Sequence, residues 1–187
     1  MTPSGAPRAA AVLCHAHPLH GGTMHFKLLY RVAKVMQRAG LAVLRFQFRG
    51  VGRSAGSYDE GRGEQDDARA ALDALAREFP GTPLVAGGFS FGAVVALRTG
   101  LRDDRVERIL VLGLPIQVID VRVENLSEKP VLIVQGELDE FGNEAAIRSF
   151  VDSFPRPAQL VVVKGAGHLF EGAISEVEGA VGDWVRL

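Results

Sequence analysis

One cysteine, Cys14, occurs in 187 residues, so no disulfide can close within the chain. Together with an N-terminus, Met1-Thr2-Pro3-Ser4-Gly5-Ala6-Pro7-Arg8, that lacks the charged-then-apolar layout of a secretory leader, this points to a reducing, cytoplasmic location. Long hydrophobic runs are missing too. Each strand-like stretch breaks within about eight residues, against the roughly 20 that span a bilayer, and no membrane partner is expected. Charge of one sign is equally scarce: 21 basic residues face 22 acidic ones, for a net charge of −1. Without a basic stripe, nucleic acid is not expected as a partner.

What the sequence does hold is the material for a core. Hydrophobic residues make up 47% and charged residues 23%, a globular balance. A chain of this length buries about 70% of its extended surface on folding. No repeat, low-complexity tract or long linker divides it, so residues 1–187 read as one domain. Short aliphatic runs at 9–14, 41–48, 84–89, 108–112, 131–134 and 160–163 read as strands, most of them apolar on both faces. Segments of helical period at 24–38, 64–79, 93–100, 144–154 and 170–184 alternate with them. Within these, Leu28, Leu29, Val32, Val35 and Met36 share a face, and Asn143 is placed to cap the fourth helix. The alternation predicts an α/β fold, a three-layer α/β/α sandwich around a mostly parallel sheet of about six strands.

The strongest local signal is Gly88-Phe89-Ser90-Phe91-Gly92, where a buried strand gives way to a helix. A sharp turn there holds the serine in a strained backbone and demands small neighbours, which explains both glycines. An incidental serine in a glycine-rich turn is the competing reading. A serine hydroxyl becomes nucleophilic only when a base takes its proton, and the base needs an acid to fix its tautomer. Asp139 and His168 each lie a few residues beyond a strand, at the carboxyl ends that gather on one edge of a parallel sheet. Glu137 and Glu140 are rivals to Asp139, with Glu137 the fallback acid.

Four further histidines crowd the loop after the first strand, Cys14-His15-Ala16-His17-Pro18-Leu19-His20-Gly21-Gly22-Thr23-Met24-His25. They follow no recognised ligand spacing, and their glycines and proline suit a tight turn, so no metal and no cofactor are expected. With an elbow nucleophile, this loop and the residue after the serine supply the oxyanion-hole N–H groups, here His17 and Phe91. The glycines of residues 48–56 do not keep the dinucleotide-binding spacing and read as a structural loop. Cys14, within or at the end of a strand, reads as a buried thiol.

Together these residues resemble the α/β-hydrolase superfamily, and in particular small bacterial hydrolases similar to dienelactone hydrolases that carry a His-x-His-Pro-Leu-x-Gly-Gly-Thr-Met loop. The resemblance covers His15 to Met24, Arg45 to Gly56 with Asp59-Glu60-Gly61, Gly88 to Gly92, Gly136 to Asp139 and Gly165 to His168. It implies a triad of Ser90, Asp139 and His168, in the chain order of that fold. Two departures are expected. Too few residues precede Ala9 for a leading β-hairpin, which would leave the strand at 41–48 on an uncovered edge open to pairing with a second copy as a homodimer. The short connection from 112 to 131 leaves no space for a lid, so the pocket should be open, with Phe89, Phe91, Leu19, Met24, Leu114 and Phe170 as candidate lining.

The function expected is a serine hydrolase of small carboxylic esters or thioesters. The alternatives are a peptidase or lactone hydrolase with the same triad, and a non-catalytic binding protein on the same scaffold.

Overall fold

The computed structural model describes residues 1–121, 128–155 and 158–186. In chain order the elements are β1 (Ala9–Cys14), α1 (Lys27–Arg38), β2 (Leu41–Arg45), α2 (Gly63–Glu78), β3 (Leu84–Phe89) and α3 (Phe91–Arg102). They continue with β4 (Val106–Leu112), β5 (Val131–Gly136), α4 (Glu144–Asp152), β6 (Gln159–Val163) and α5 (Ile174–Arg186). The six strands form one sheet in the order β2-β1-β3-β4-β5-β6, and every pairing is parallel, not merely most of them.

Alternation along the strands builds two cores. Ala10, Val12 and Cys14 of β1 face the layer formed by α2, α3 and α4, whereas Ala11 and Leu13 face the layer of α1 and α5. Leu28, Leu29, Val32, Ala33 and Met36 of α1 are fully buried in that second layer beside Val177, Val181 and Trp184 of α5. Each such side chain contributes about 1.5–3 kcal/mol by leaving water. These two apolar sheet faces make the sandwich the stable solution.

Several boundaries differ from expectation, each for a local reason. β2 ends at Arg45 rather than at residue 48 because the next residues find partners outside the ladder. The Phe48 N–H donates to His15 Nε2 at 3.0 Å, and the Gln47 carbonyl accepts from Ser54 Oγ at 3.0 Å. α1 starts three residues late because the Phe26 N–H closes a turn on the Thr23 carbonyl. α5 starts at Ile174, not Phe170, since Phe170 (φ 53°) and Gly172 (φ 76°) are left-handed and interrupt the helix. Asn143 caps α4 as expected, its side chain accepting from the Ala146 N–H at 2.9 Å.

β2 lies at the sheet edge, and no strand precedes β1 among the described residues. The edge is not bare, however. Met1 and Val43 exchange two backbone hydrogen bonds, of 2.8 and 2.7 Å, which corrects the expectation of an uncovered strand. No described helix is long and apolar enough to cross a membrane.

Chain direction across the sheet reverses between β1 and β3: β2 lies to one side of β1, and β3 to β6 follow on the other. In open parallel sheets the crevice at the carboxyl ends of strands flanking such a switch is where ligands bind.

Candidate active site

The switch places the loop after β1 beside the turn between β3 and α3. At that turn Ser90 has φ 57° and ψ −123°, a conformation costly for any residue with a Cβ. Its N–H donates to the Leu112 carbonyl at 2.9 Å, and its carbonyl accepts from the Ala93 N–H at 2.9 Å, so the strain is held by both neighbouring elements. A Cβ on Gly88 would collide with the Gly92 carbonyl, and one on Gly92 with the carbonyls of Cys14 and His15. The first glycine lets the elbow close on itself. The second lets it seat against the end of β1.

His168, on the loop after β6, and Asp139, on the loop after β5, meet at this elbow. Ser90 Oγ donates to His168 Nε2 at 2.8 Å, and His168 Nδ1 donates to Asp139 Oδ2 at 2.9 Å. Asp139 is 3% exposed and His168 7%, so the pair is shielded while Ser90 stays half-buried and reachable. The imidazole is wedged between Phe89, with ring centroids 5.1 Å apart, and the edge-on Phe141 at 4.7 Å. Gly136 permits the convergence of the two loops, because a Cβ there would lie 2.7 Å from the Gly167 carbonyl oxygen.

Of the candidate acids, Asp139 reaches the histidine. Glu137 is exposed and instead accepts from the Gly165 N–H at 2.8 Å. The carboxylate of Asp139 is itself held by Gln135, a residue the sequence did not single out. Gln135 is fully buried, donates to Asp139 Oδ2 at 2.7 Å and to the Gly142 carbonyl at 2.9 Å, and accepts from the Leu114 N–H at 2.8 Å. With the Phe141 N–H on Oδ1 at 2.9 Å, Asp139 accepts from three donors. An acceptor-only carboxylate on Nδ1–H leaves the Nε2 lone pair facing Ser90.

The histidine-rich loop is organised by its first member. His15 is fully buried; Nδ1 donates to the Ala16 carbonyl at 2.7 Å, and Nε2 accepts from the Phe48 N–H. Burial lowers its pKa, opposed by the bond to Ala16. His17 caps the 3₁₀ turn Pro18–His20 by accepting the Leu19 N–H on Nδ1 at 3.2 Å, and its ring stacks on His20 at 4.2 Å. No three His, Cys, Asp or Glu side chains among the described residues are grouped to hold a metal ion. The backbone N–H groups of His17 and Phe91 engage no acceptor among the described residues, and their rings pack 5.0 Å apart. Cys14 is buried, its thiol pushed far up by burial and then by Asp67.

A cleft of about 490 Å³ opens at Ser90. His17, His20, Tyr58 and Glu60 line one part of it, and Pro115, Val118, Ile119 and Phe141 another. Of the six lining residues expected from sequence only Phe91 takes part. Phe89, Leu114 and Phe170 are core residues, Leu19 is exposed, and Met24 lies elsewhere. The glycine loop of residues 48–56 closes on itself, the Gly50 N–H donating to the Ala55 carbonyl at 3.2 Å. Arg49 grips Asp67 through Nε and Nη2, the latter at 2.8 Å, and the buried Glu64 accepts from the N–H groups of Asp59 at 2.9 Å and Gly61 at 2.8 Å.

A family model for an alpha/beta hydrolase domain matches residues 8–179. The chain belongs to the α/β-hydrolase family. Solved relatives of this hydrolase include an α/β serine hydrolase homologue from Coxiella burnetii, 33% identical with a TM-score of 0.91, over 98% of this chain and 88% of that one. A serine hydrolase from Xanthomonas campestris described as lacking a lid is 31% identical with a TM-score of 0.91, over 99% and 85%. An uncharacterized protein of Rickettsia prowazekii is 32% identical over 94% of this chain and 77% of its own length.

Proposed function

We propose that the hydrolase cleaves small carboxylic esters or thioesters through an acyl-enzyme on Ser90. The observation that carries this reading is the unbroken chain from Ser90 Oγ through His168 to Asp139, at 2.8 and 2.9 Å, on a strained elbow at the mouth of the cleft. His168 Nε2 takes the Ser90 proton as Oγ bonds to the carbonyl carbon, and the carbonyl π pair moves to oxygen. Asp139 steadies the imidazolium through Nδ1–H. The oxyanion is held by the N–H groups of Phe91 and His17, each such donor being worth about 10²–10³ in rate. Collapse breaks the bond to the alcohol or thiol, which leaves with the proton from Nε2. Water then repeats the sequence on the acyl-enzyme, releasing the acid and restoring the Ser90 hydroxyl.

The cleft volume, about 490 Å³, falls in the small-molecule range of about 300–1,000 Å³ and fits small esters. The test is hydrolysis of p-nitrophenyl acetate, butyrate and octanoate by wild type and Ser90→Ala, with folding checked by circular dichroism. Turnover that declines with chain length and vanishes in the variant is expected. A folded wild type that neither turns over these esters nor is labelled at Ser90 by a fluorophosphonate would overturn the reading in favour of a binding role.

A further inference from the structure

The polar part of the cleft contains a donor that the hydrolytic steps do not use. His17 Nδ1 accepts the Leu19 N–H, so that nitrogen carries no proton, and the neutral ring has its N–H on Nε2. Nε2 lies 3.2 Å from the Tyr58 hydroxyl and therefore donates to it. Tyr58 oxygen is the acceptor in that bond, and the hydroxyl hydrogen is left over. It engages no acceptor among the described residues. His17 stays neutral because burial, and then the neighbouring His20, lower its pKa, although Glu64 opposes them. Tyr58 stays protonated because burial, Glu64 and Glu60 raise its own.

The donor is also held in place. The Tyr58 ring packs against His17 at 4.8 Å and Phe91 at 5.7 Å, next to the nucleophile. Its backbone neighbours Asp59 and Gly61 are pinned by the fully buried Glu64. The cleft sets this fixed donor beside His17, His20 and Glu60 on one hand and Pro115, Val118, Ile119 and Phe141 on the other; a purely hydrocarbon ligand lying against it leaves the donor unpaired, and one bearing an oxygen satisfies it.

We propose that Tyr58 is a specificity residue whose hydroxyl donates to a second, non-reacting acceptor oxygen of the substrate, selecting oxygen-bearing esters over hydrocarbon ones of the same shape. The proposal rests on the acyl-enzyme reading above. Two isosteric pairs test it: p-nitrophenyl methoxyacetate against p-nitrophenyl butyrate for the acyl side, and 2-methoxyethyl butyrate against n-butyl butyrate for the alcohol side. Within each pair, the kcat/KM ratio of oxygenated to hydrocarbon ester is compared between wild type and Tyr58→Phe, which cancels intrinsic reactivity. A neutral hydrogen bond predicts a ratio about 3- to 10-fold higher in wild type for at least one pair, which also tells which side meets Tyr58. Ratios that are the same in both enzymes for both pairs, including a uniform loss on all four esters, would overturn the assignment of Tyr58 while Ser90-dependent turnover still stood. Absence of Ser90-dependent turnover in wild type would instead bring down the acyl-enzyme reading, and this proposal with it.

Discussion

Single side chains in this molecule are set by how many partners they satisfy at once. Asp139 accepts three hydrogen bonds, one of them from the base, whereas Glu137, two residues earlier, only ties down the Gly165 N–H. The difference makes a sharp contrast between two variants. Asp139→Asn presents an amide in place of the carboxylate that fixes the imidazole tautomer, and kcat for p-nitrophenyl butyrate is expected to fall by about 10⁴. Glu137→Gln should change kcat less than about threefold, because an exposed neutral acceptor serves the Gly165 N–H nearly as well. Equal losses in the two would mean that the carboxylate of Asp139 has no special part. At this scale Ser90, Asp139 and His168 were legible because their chemistry demands those residue types near strand ends. Gln135, Glu64 and Tyr58 were not, because a buried glutamine, a buried glutamate and a loop tyrosine carry no spacing that separates them from ordinary polar residues. Only the folded partners, Leu114 N–H for Gln135 and Asp59 N–H for Glu64, reveal them.

Elements, in turn, are positioned by how closely their backbones approach. α3 reaches the end of β1 only because residue 92 has no side chain, the carbonyls of Cys14 and His15 occupying the place a Cβ would take. Gly92→Ala must push the elbow and the end of β1 with its following loop apart. We expect a stability loss of about 1–3 kcal/mol, as for other overpacked cores, read as a lower urea midpoint, together with a drop in kcat larger than that in KM. An unchanged midpoint would show that the loop yields without cost. The strands and helices themselves were largely readable from periodicity, and the six strands and five helices are where the runs place them. The errors fall at the ends, at β2, α1 and α5. There a side chain such as His15 or Ser54, a backbone turn such as that from Phe26 to Thr23, or a left-handed residue such as Phe170 competes with the regular ladder and leaves no mark in hydrophobic pattern. The cleft lining was missed for a related reason: Pro115, Val118 and Ile119 come from a connection without regular structure, while the aromatic residues that seemed free to line a pocket are spent on the core.

For the molecule as a whole, two imidazoles, the buried His15 and the partly buried His17, link stability to acidity. His15 and His17 both have pKa values below the ordinary 6.5, principally through burial. Below pH 6.5 the unfolded chain takes up protons that these folded side chains refuse, so unfolding is favoured as pH falls; above 6.5 neither state binds them and the full contribution is present. The urea midpoint of wild type is therefore expected to decline from pH 7 to pH 5.5. The decline should be shallower in His15→Gln, whatever that variant's absolute stability. Parallel curves would show that the ring protonates as readily folded as unfolded.

The separation of Ser90 and His168 by 78 positions in sequence also says when in the molecule's life the proposed activity can begin. No contiguous segment holds both reacting side chains. They meet only after β3 has found β4, β4 has found β5 and β5 has found β6, pairings between distant parts of the chain that are slow to form because loop entropy is spent before contacts repay it. Collapsed or half-paired chains hold the same serine and histidine yet keep them apart. Turnover consequently counts finished molecules, and the reaction itself is a census of completed folding.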